Sequence, residues 1–351
     1  MKALVRRALR VNVTYRHLAP AKARHRRGFS TGEPFDPPRR FIILDDEKLW
    51  YTLEGPPLAM ARRKMVAWHG GPGSTFDWRY IAPRLKDTAT LRLELPGHGE
   101  TPPSLVDVNK PRSQEFERII ERAVAKVEEA EGGAQGEYFV IAHSMGAEQA
   151  IGLSYPNNSR LSVRGTALVS PLGMYPHQGL FIKDPGSAET KWWAKVLLQP
   201  FLKSIATPLV RTTFVNLFGF SPRPTGFEYH WVMLRASLID YSRYVASILR
   251  MSEERRPVHI FAGGSDNVME RPIGFSISRA FGCLMEEDDD DGREGCWDSV
   301  NAECSVQRAT LFPEAGHFGI KTHSEEIAER LNAWMAEVER VEGGGVGDGG
   351  G

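Results

Sequence analysis

The stretch Tyr138-Phe139-Val140-Ile141-Ala142-His143-Ser144-Met145-Gly146 decides the reading of the chain. Tyr138–Ile141 is a short apolar run with the character of a buried strand, and Ala147–Leu153 behind Gly146 reads as a helix. A strand that turns sharply at a serine into a helix is a nucleophile elbow, which holds the hydroxyl exposed at the top of a sheet. The small flanking residues are a mechanical requirement. Ala142 and Gly146 let two backbones approach while Ser144 is held in a strained turn. Glycine is the commoner residue where Ala142 stands, and alanine is small enough to serve.

Outward from this stretch, short apolar runs alternate with helical segments. Phe41–Leu44 and Lys48–Leu53 flank the acidic turn Asp45-Asp46-Glu47 and predict a hairpin. Met65–Trp68, Thr90–Leu95, Ala167–Val169, Val258–Phe261 and Ala309–Phe312 are further candidate strands. Ser113–Glu131 predicts a helix with Phe116, Ile119, Ile120, Ala123 and Val127 on one face and Ser113 as its N-cap. Thr322 and Glu325 have the spacing of a capping box, before a helix that presents Ile327, Leu331, Trp334 and Val338 together. The alternation predicts an α/β protein with a mainly parallel sheet covered on both faces. Residues 171–255 interrupt it: they read as helical, with thirteen aromatics between Tyr175 and Tyr244, and predict an apolar cap.

Three more loops follow candidate strands. Met65–Trp68 runs into His69-Gly70-Gly71-Pro72-Gly73-Ser74, where a backbone N–H can face the serine; Gly71 is the candidate donor, paired with the N–H of Met145. Val258–Phe261 runs into Ala262-Gly263-Gly264-Ser265-Asp266, an acid placed to orient a histidine. Ala309–Phe312 is followed by Gly316-His317-Phe318. The chain order is serine, aspartate, histidine.

These motifs, with Leu95-Pro96-Gly97-His98-Gly99, resemble the α/β-hydrolase family over about residues 38–341. The resemblance implies a mostly parallel eight-stranded sheet, with core segments 38–170 and 256–341 separated by the helical cap 171–255. It implies Ser144 as nucleophile, His317 as general base and acid, Asp266 as the orienting acid, and Gly71 and Met145 as oxyanion donors. The reaction it implies is hydrolysis of an ester, thioester or amide with an apolar part, with no metal or organic cofactor expected. The His69–Gly73 loop is similar to that of proline iminopeptidase-type aminopeptidases, for which Glu189, Glu228 or Asp240 could bind a substrate ammonium, whereas His143-Ser144-Met145 resembles esterases and lipases. Serine rather than aspartate at the elbow argues against a dehalogenase or epoxide hydrolase. A reading of another class, a ligand receptor or scaffold without turnover, remains open on the same fold.

Composition bounds the rest. The chain has 351 residues, 41% hydrophobic and 25% charged, with only three cysteines, which excludes a disulfide scaffold and a wholly disordered chain. No apolar run suggests a membrane span, and no nucleic-acid partner is expected, the alternative being a basic N-terminal tail that touches acidic lipid or nucleic acid. Residues 1–30 carry nine Lys or Arg and no acid. Their amphipathic opening, and Arg27 three positions before a Phe29–Ser30 cut, fit a mitochondrial presequence spanning 1–29 and a matrix enzyme, with a cytoplasmic protein as the alternative. Residues 342–351, ending in GGGVGDGGG, are expected to form a disordered tail. Glu286–Asp291 is a block of six acids. With Cys283, Cys296 and Cys304 around it and no zinc-ligand spacing, the 283–304 segment reads as a surface insertion.

Overall fold

The computed structural model describes residues 36–109, 111–133, 136–155, 160–176, 191–197, 199, 202–217, 220, 222–269, 271–283 and 297–343. The proposed presequence, Glu189, the acid block, Cys296 and residues 344–351 of the expected tail lie outside the described residues, whereas Glu342 and Gly343 close the last helix rather than open a tail. Among the described residues nine strands, one more than the eight expected, form one sheet: β1 (Arg40–Leu44), β2 (Glu47–Glu54), β3 (Arg63–Trp68), β4 (Thr88–Leu93), β5 (Glu137–His143), β6 (Ser162–Val169), β7 (Val258–Gly263), β8 (Trp297–Asn301) and β9 (Cys304–Phe312). Their spatial order is β1-β2-β4-β3-β5-β6-β7-β9-β8. From β4 to β9 the neighbours run parallel, and the antiparallel pairs sit at the two edges.

The period-2 alternation of strand side chains explains why the central strands read as unbroken apolar runs. Val66, Trp68, Val140 and Ala142 face one core, and Met65, Ala67, Phe139 and Ile141 face the other. The first core is closed by α1 (Ser113–Ala130) through Phe116, Ile119, Ile120, Ala123 and Val127, and by α2 (Ala147–Leu153). The second is closed by Ile327, Leu331, Trp334 and Val338 of α9 (Ser324–Gly343), which follows the short α8 (Gly319–Thr322). Between β6 and β7 lie α3 (Trp192–Leu197), α4 (Lys203–Leu217), α5 (Gly226–Ser237) and α6 (Tyr241–Glu253), and α7 (Arg271–Ala280) follows β7.

Three local expectations need correction. Ser113 is the first residue of α1 rather than its cap; Arg112 precedes it without a side-chain bond, and the Ser113 hydroxyl accepts from Gln149 Nε2 at 2.8 Å. Thr322 ends α8 and its hydroxyl pairs with His323 Nδ1 at 2.9 Å, so it does not open α9 in a capping box. The 283–304 segment is not wholly a surface insertion. Cys283 is fully buried, and Trp297–Asn301 supplies β8, the ninth strand, paired antiparallel with β9. An acid-rich, cysteine-flanked stretch hides this strand because only five residues of it pair.

His259 on β7 shows how β8 reaches the core. Its Nε2–H donates to Thr310 Oγ1 at 2.9 Å, and the Thr310 hydroxyl donates to Asp298 Oδ1 at 2.6 Å. Burial pushes the His259 pKa down to about 3. Between the ordinary value near 6.5 and about 3, the unfolded chain holds a proton that the folded chain does not. Stability from this group is therefore present above pH 6.5 and falls as pH falls, by about 1.4 kcal/mol per unit. The His259→Gln variant lacks this term. Urea titrations at pH 7.5 and 5.5 should show the variant gaining about 1.4 kcal/mol relative to wild type at the lower pH. Parallel losses in both proteins would exclude His259 as an acid-sensitive group.

Candidate active site

The C-terminal ends of β3, β5, β7 and β9 converge, the edge at which open parallel sheets present their reactive groups. β5 ends at His143, and Ser144 takes a left-handed backbone with φ 52° before α2 begins at Ala147. A non-glycine residue in that region is strained, and close packing holds it there. Trp68 Nε1 donates to Gly146 O at 2.8 Å, and a Cβ on Gly70 would lie 2.7 Å from the Ser144 Cβ. Glycine at position 70 is thus what lets the β3 loop lie directly against the serine.

His317 stands in the loop after β9. Its Nε2 is 2.8 Å from Ser144 Oγ, and its Nδ1 is 2.8 Å from Asp266 Oδ2. The His317 and Asp266 side chains are each 3% exposed, so the pair works away from bulk water. The other Asp266 oxygen, Oδ1, accepts from the N–H groups of Val268 and Met269 at 2.8 and 2.7 Å. Burial alone would raise the Asp266 pKa; the His317 ring and the three hydrogen bonds outweigh it and hold the carboxyl below its usual range. The ionised carboxylate then accepts from Nδ1–H and leaves Nε2 free to accept the serine hydroxyl.

His143, which the sequence reading did not single out, supports this loop from beneath. Its Nε2–H donates to the backbone carbonyl of His317 at 2.9 Å. Burial, with the neighbouring His317 ring, pushes the His143 pKa down to about 3, so it stays a neutral donor. Its position immediately before the serine was the available signal, but a residue before an elbow serine has no fixed chemistry.

Ser144, Gly71 and Met145 share one cavity of about 50 Å3. Apart from Ser144 and Tyr241 its walls are apolar: Leu172, Phe214, Phe220, Val232 and Met233 are among them. Phe220 also packs edge-on against Phe318, and its ring centroid lies 6.3 Å from that of His317. The aromatic enrichment thus divides. Phe214, Phe220 and Tyr241 face the cavity, Tyr229 and Tyr244 pack in the core, and Trp192 is exposed. Glu228 and Asp240, candidates for binding an ammonium, are used otherwise. Glu228 forms a capping box with Thr225 and accepts from Gly99 N–H, and Asp240 caps α6. Glu94 is buried, accepting from Arg39 and from the Glu100 N–H. Among the described residues, no three His, Cys, Asp or Glu side chains form a metal-binding group, and no helix is long and apolar enough to cross a membrane.

A mostly parallel sheet with a hydrogen-bonded serine, histidine and aspartate on the loops beyond β5, β9 and β7 has the arrangement of the α/β-hydrolase class. The profile of the alpha/beta hydrolase family matches residues 65–330, and the chain belongs to that family. Among solved structures, the chain is similar to a haloalkane dehalogenase DbeA-M1 loop variant from Bradyrhizobium elkanii, at 15% identity and a TM-score of 0.61, covering 88% of this chain and 99% of that one. It is also similar to the thioesterase domain from the curacin biosynthetic pathway, at 13% identity and a TM-score of 0.54, covering 84% and 98%. Comparison with curated proteins by sequence found no match.

Proposed function

We propose that the protein is a serine hydrolase that cleaves esters or thioesters with a compact apolar acyl group. The observation that carries this is the continuous relay from Ser144 Oγ through His317 to Asp266, at 2.8 Å and 2.8 Å, opening on a cavity whose walls are apolar. In this reading His317 Nε2 takes the Ser144 proton as Oγ attacks the acyl carbonyl. The N–H groups of Gly71 and Met145 hold the oxyanion, each worth about 3–4 kcal/mol by analogy with measured donors. The imidazolium then protonates the leaving group. Water, activated by the same ring, releases the acid from the serine. Serine at the elbow favours this chemistry over the dehalogenation named for one structural neighbour. The use of Glu228 and Asp240 as helix caps supports an acyl ester over an aminopeptidase substrate.

The test is labelling with a fluorophosphonate, competed by a panel of short-chain and long-chain esters, an acyl thioester and a Pro-aminoacyl amide. Labelling at Ser144, competed first by apolar acyl substrates, is expected. First competition by the Pro-aminoacyl amide would move the assignment to a peptidase, and labelling without turnover of any panel member would favour a receptor. The acid-free N-terminus supports a mitochondrial location; N-terminal sequencing of protein from isolated mitochondria is expected to start at or near Ser30. A cytosolic protein starting at Met1 would refute it.

A further inference from the structure

The cap helix α5 touches the His69–Ser74 loop by two routes. The direct one is Val232: a Cβ built on Gly71 would lie 2.6 Å from Val232 Cγ2, so the cap packs on the backbone that carries the proposed oxyanion donor. The indirect one starts at the adjacent residue. Trp231 is buried, its Nε1–H donates to Pro96 O at 2.9 Å, and a Cβ on Gly97 would collide with the same indole nitrogen. Glu228, one turn earlier on α5, accepts from Gly99 N–H at 2.9 Å. Together these hold the 95–99 loop against the cap. At the far side of that loop, Leu95 N–H donates to His69 Nε2 at 3.0 Å.

That bond fixes the state of His69. Since Nε2 accepts, the ring proton is on Nδ1, which faces Gly70 O at 2.6 Å and donates to it. His69 is wholly buried, and burial pushes its pKa down to about 3, so the ring keeps one donor and one acceptor at neutral pH. A carbonyl held by Nδ1–H cannot rotate freely. In a trans peptide the next N–H points the opposite way from that carbonyl. Holding Gly70 O therefore sets the direction of Gly71 N–H and polarises it toward donation.

We propose that Trp231 is a positioning residue for the oxyanion site, acting through the 95–99 loop and His69 on the Gly70–Gly71 peptide, so that cap engagement aligns the donor. This rests on the serine-hydrolase reading above. With α5 seated against both loops, the donor is held in place before substrate enters. The relay acts on the developing oxyanion and not on the ground-state carbonyl.

The experiment is a double-mutant cycle. Trp231→Phe keeps the ring body and removes the N–H; His69→Phe removes both ring hydrogen bonds. With the best ester of the panel, Trp231→Phe is expected to lower kcat about tenfold with KM little changed. His69→Phe should lower kcat about a hundredfold. The double variant should match His69→Phe alone, because Trp231 has nothing left to act through. The second measurement needs no His69 variant: in Trp231→Phe, inhibition by a trifluoromethyl ketone, which forms the oxyanion, should weaken about tenfold, while binding of the isosteric amide stays constant. A merely structural role for Trp231 would weaken both ligands alike or neither. Additive losses in the cycle, or equal changes for ketone and amide, overturn the relay. If the wild-type enzyme is not labelled by fluorophosphonate, the serine reading itself has failed; labelling of wild type with an additive cycle defeats only the relay.

Discussion

Replacing Ser144 by alanine is expected to lower turnover by about 10⁴ to 10⁶-fold and leave the fold intact. The size follows from what is lost. On the proposed serine mechanism, removing Oγ leaves no atom to form the acyl bond, and the His317 Nε2 that faced it at 2.8 Å has no proton to take. The fold should persist because the rest of the elbow does not depend on the hydroxyl. Trp68 still donates to Gly146 O, Leu172 N–H still donates to Ser144 O at 3.0 Å through the backbone, and Asp266 still holds His317. Alanine carries the same Cβ into the left-handed turn, so the strain at φ 52° is unchanged in kind. Kinetics on the best panel ester should show the loss, while the urea midpoint should move by no more than about 0.5 kcal/mol equivalent. Fluorophosphonate labelling at full strength in the variant would assign the nucleophile elsewhere.

The sheet and the meeting of loops at its edge were legible because they are written in short-range signals. Apolar runs such as Met65–Trp68 and Tyr138–Ile141 form central strands buried on both faces, and nothing competes with that reading. Ser144, Asp266 and His317 each follow such a run, so parallel topology puts them at one edge of the sheet, and the family resemblance is what joined them into one set. What could not be read depends on partners far away in the chain. The use of Ser113 as an acceptor for Gln149, of Glu228 as a clamp on Gly99, and of Trp231 on Pro96 are side-chain choices settled by packing. An N-cap pattern says that a hydroxyl is suited to a helix end. It does not say that an elbow helix will claim that hydroxyl first. β8 was hidden for a related reason, since five residues beside an acid block show no period strong enough to mark a strand.

Excising residues 283–304 and joining the flanks with a short Gly/Ser link is expected to abolish folding, although the acid block alone reads as a surface insertion that could be removed. The segment's ends are built into the sheet. Cys283 is fully buried with its thiol facing Gln307 O at 3.4 Å. Asn301 Nδ2 donates to Phe281 O at 2.8 Å and to Gln307 Oε1 at 2.7 Å. Asp298 accepts from Thr310 and from Arg330. The deletion leaves Thr310 and Gln307, both fully buried, short of partners, at about 1–3 kcal/mol for each group left unsatisfied. It also strips β9 of its outer neighbour and makes it an unprotected edge, open to pairing with other chains. The two groups together cost about 2–6 kcal/mol, a large share of a total stability of about 5–15 kcal/mol, and the lost β8–β9 pairing comes on top of it. The consequence for activity is direct, because His317 lies in the loop that leaves β9 and its distance to Ser144 depends on the register of that strand. Removing only residues 284–296, with the same link, keeps Cys283, β8 and Asn301, and should give soluble enzyme with wild-type kcat/KM. Soluble yield, circular dichroism and ester turnover of the two deletions distinguish the cases. A 283–304 deletion that folds with a wild-type urea midpoint would show that β8 contributes nothing to the sheet.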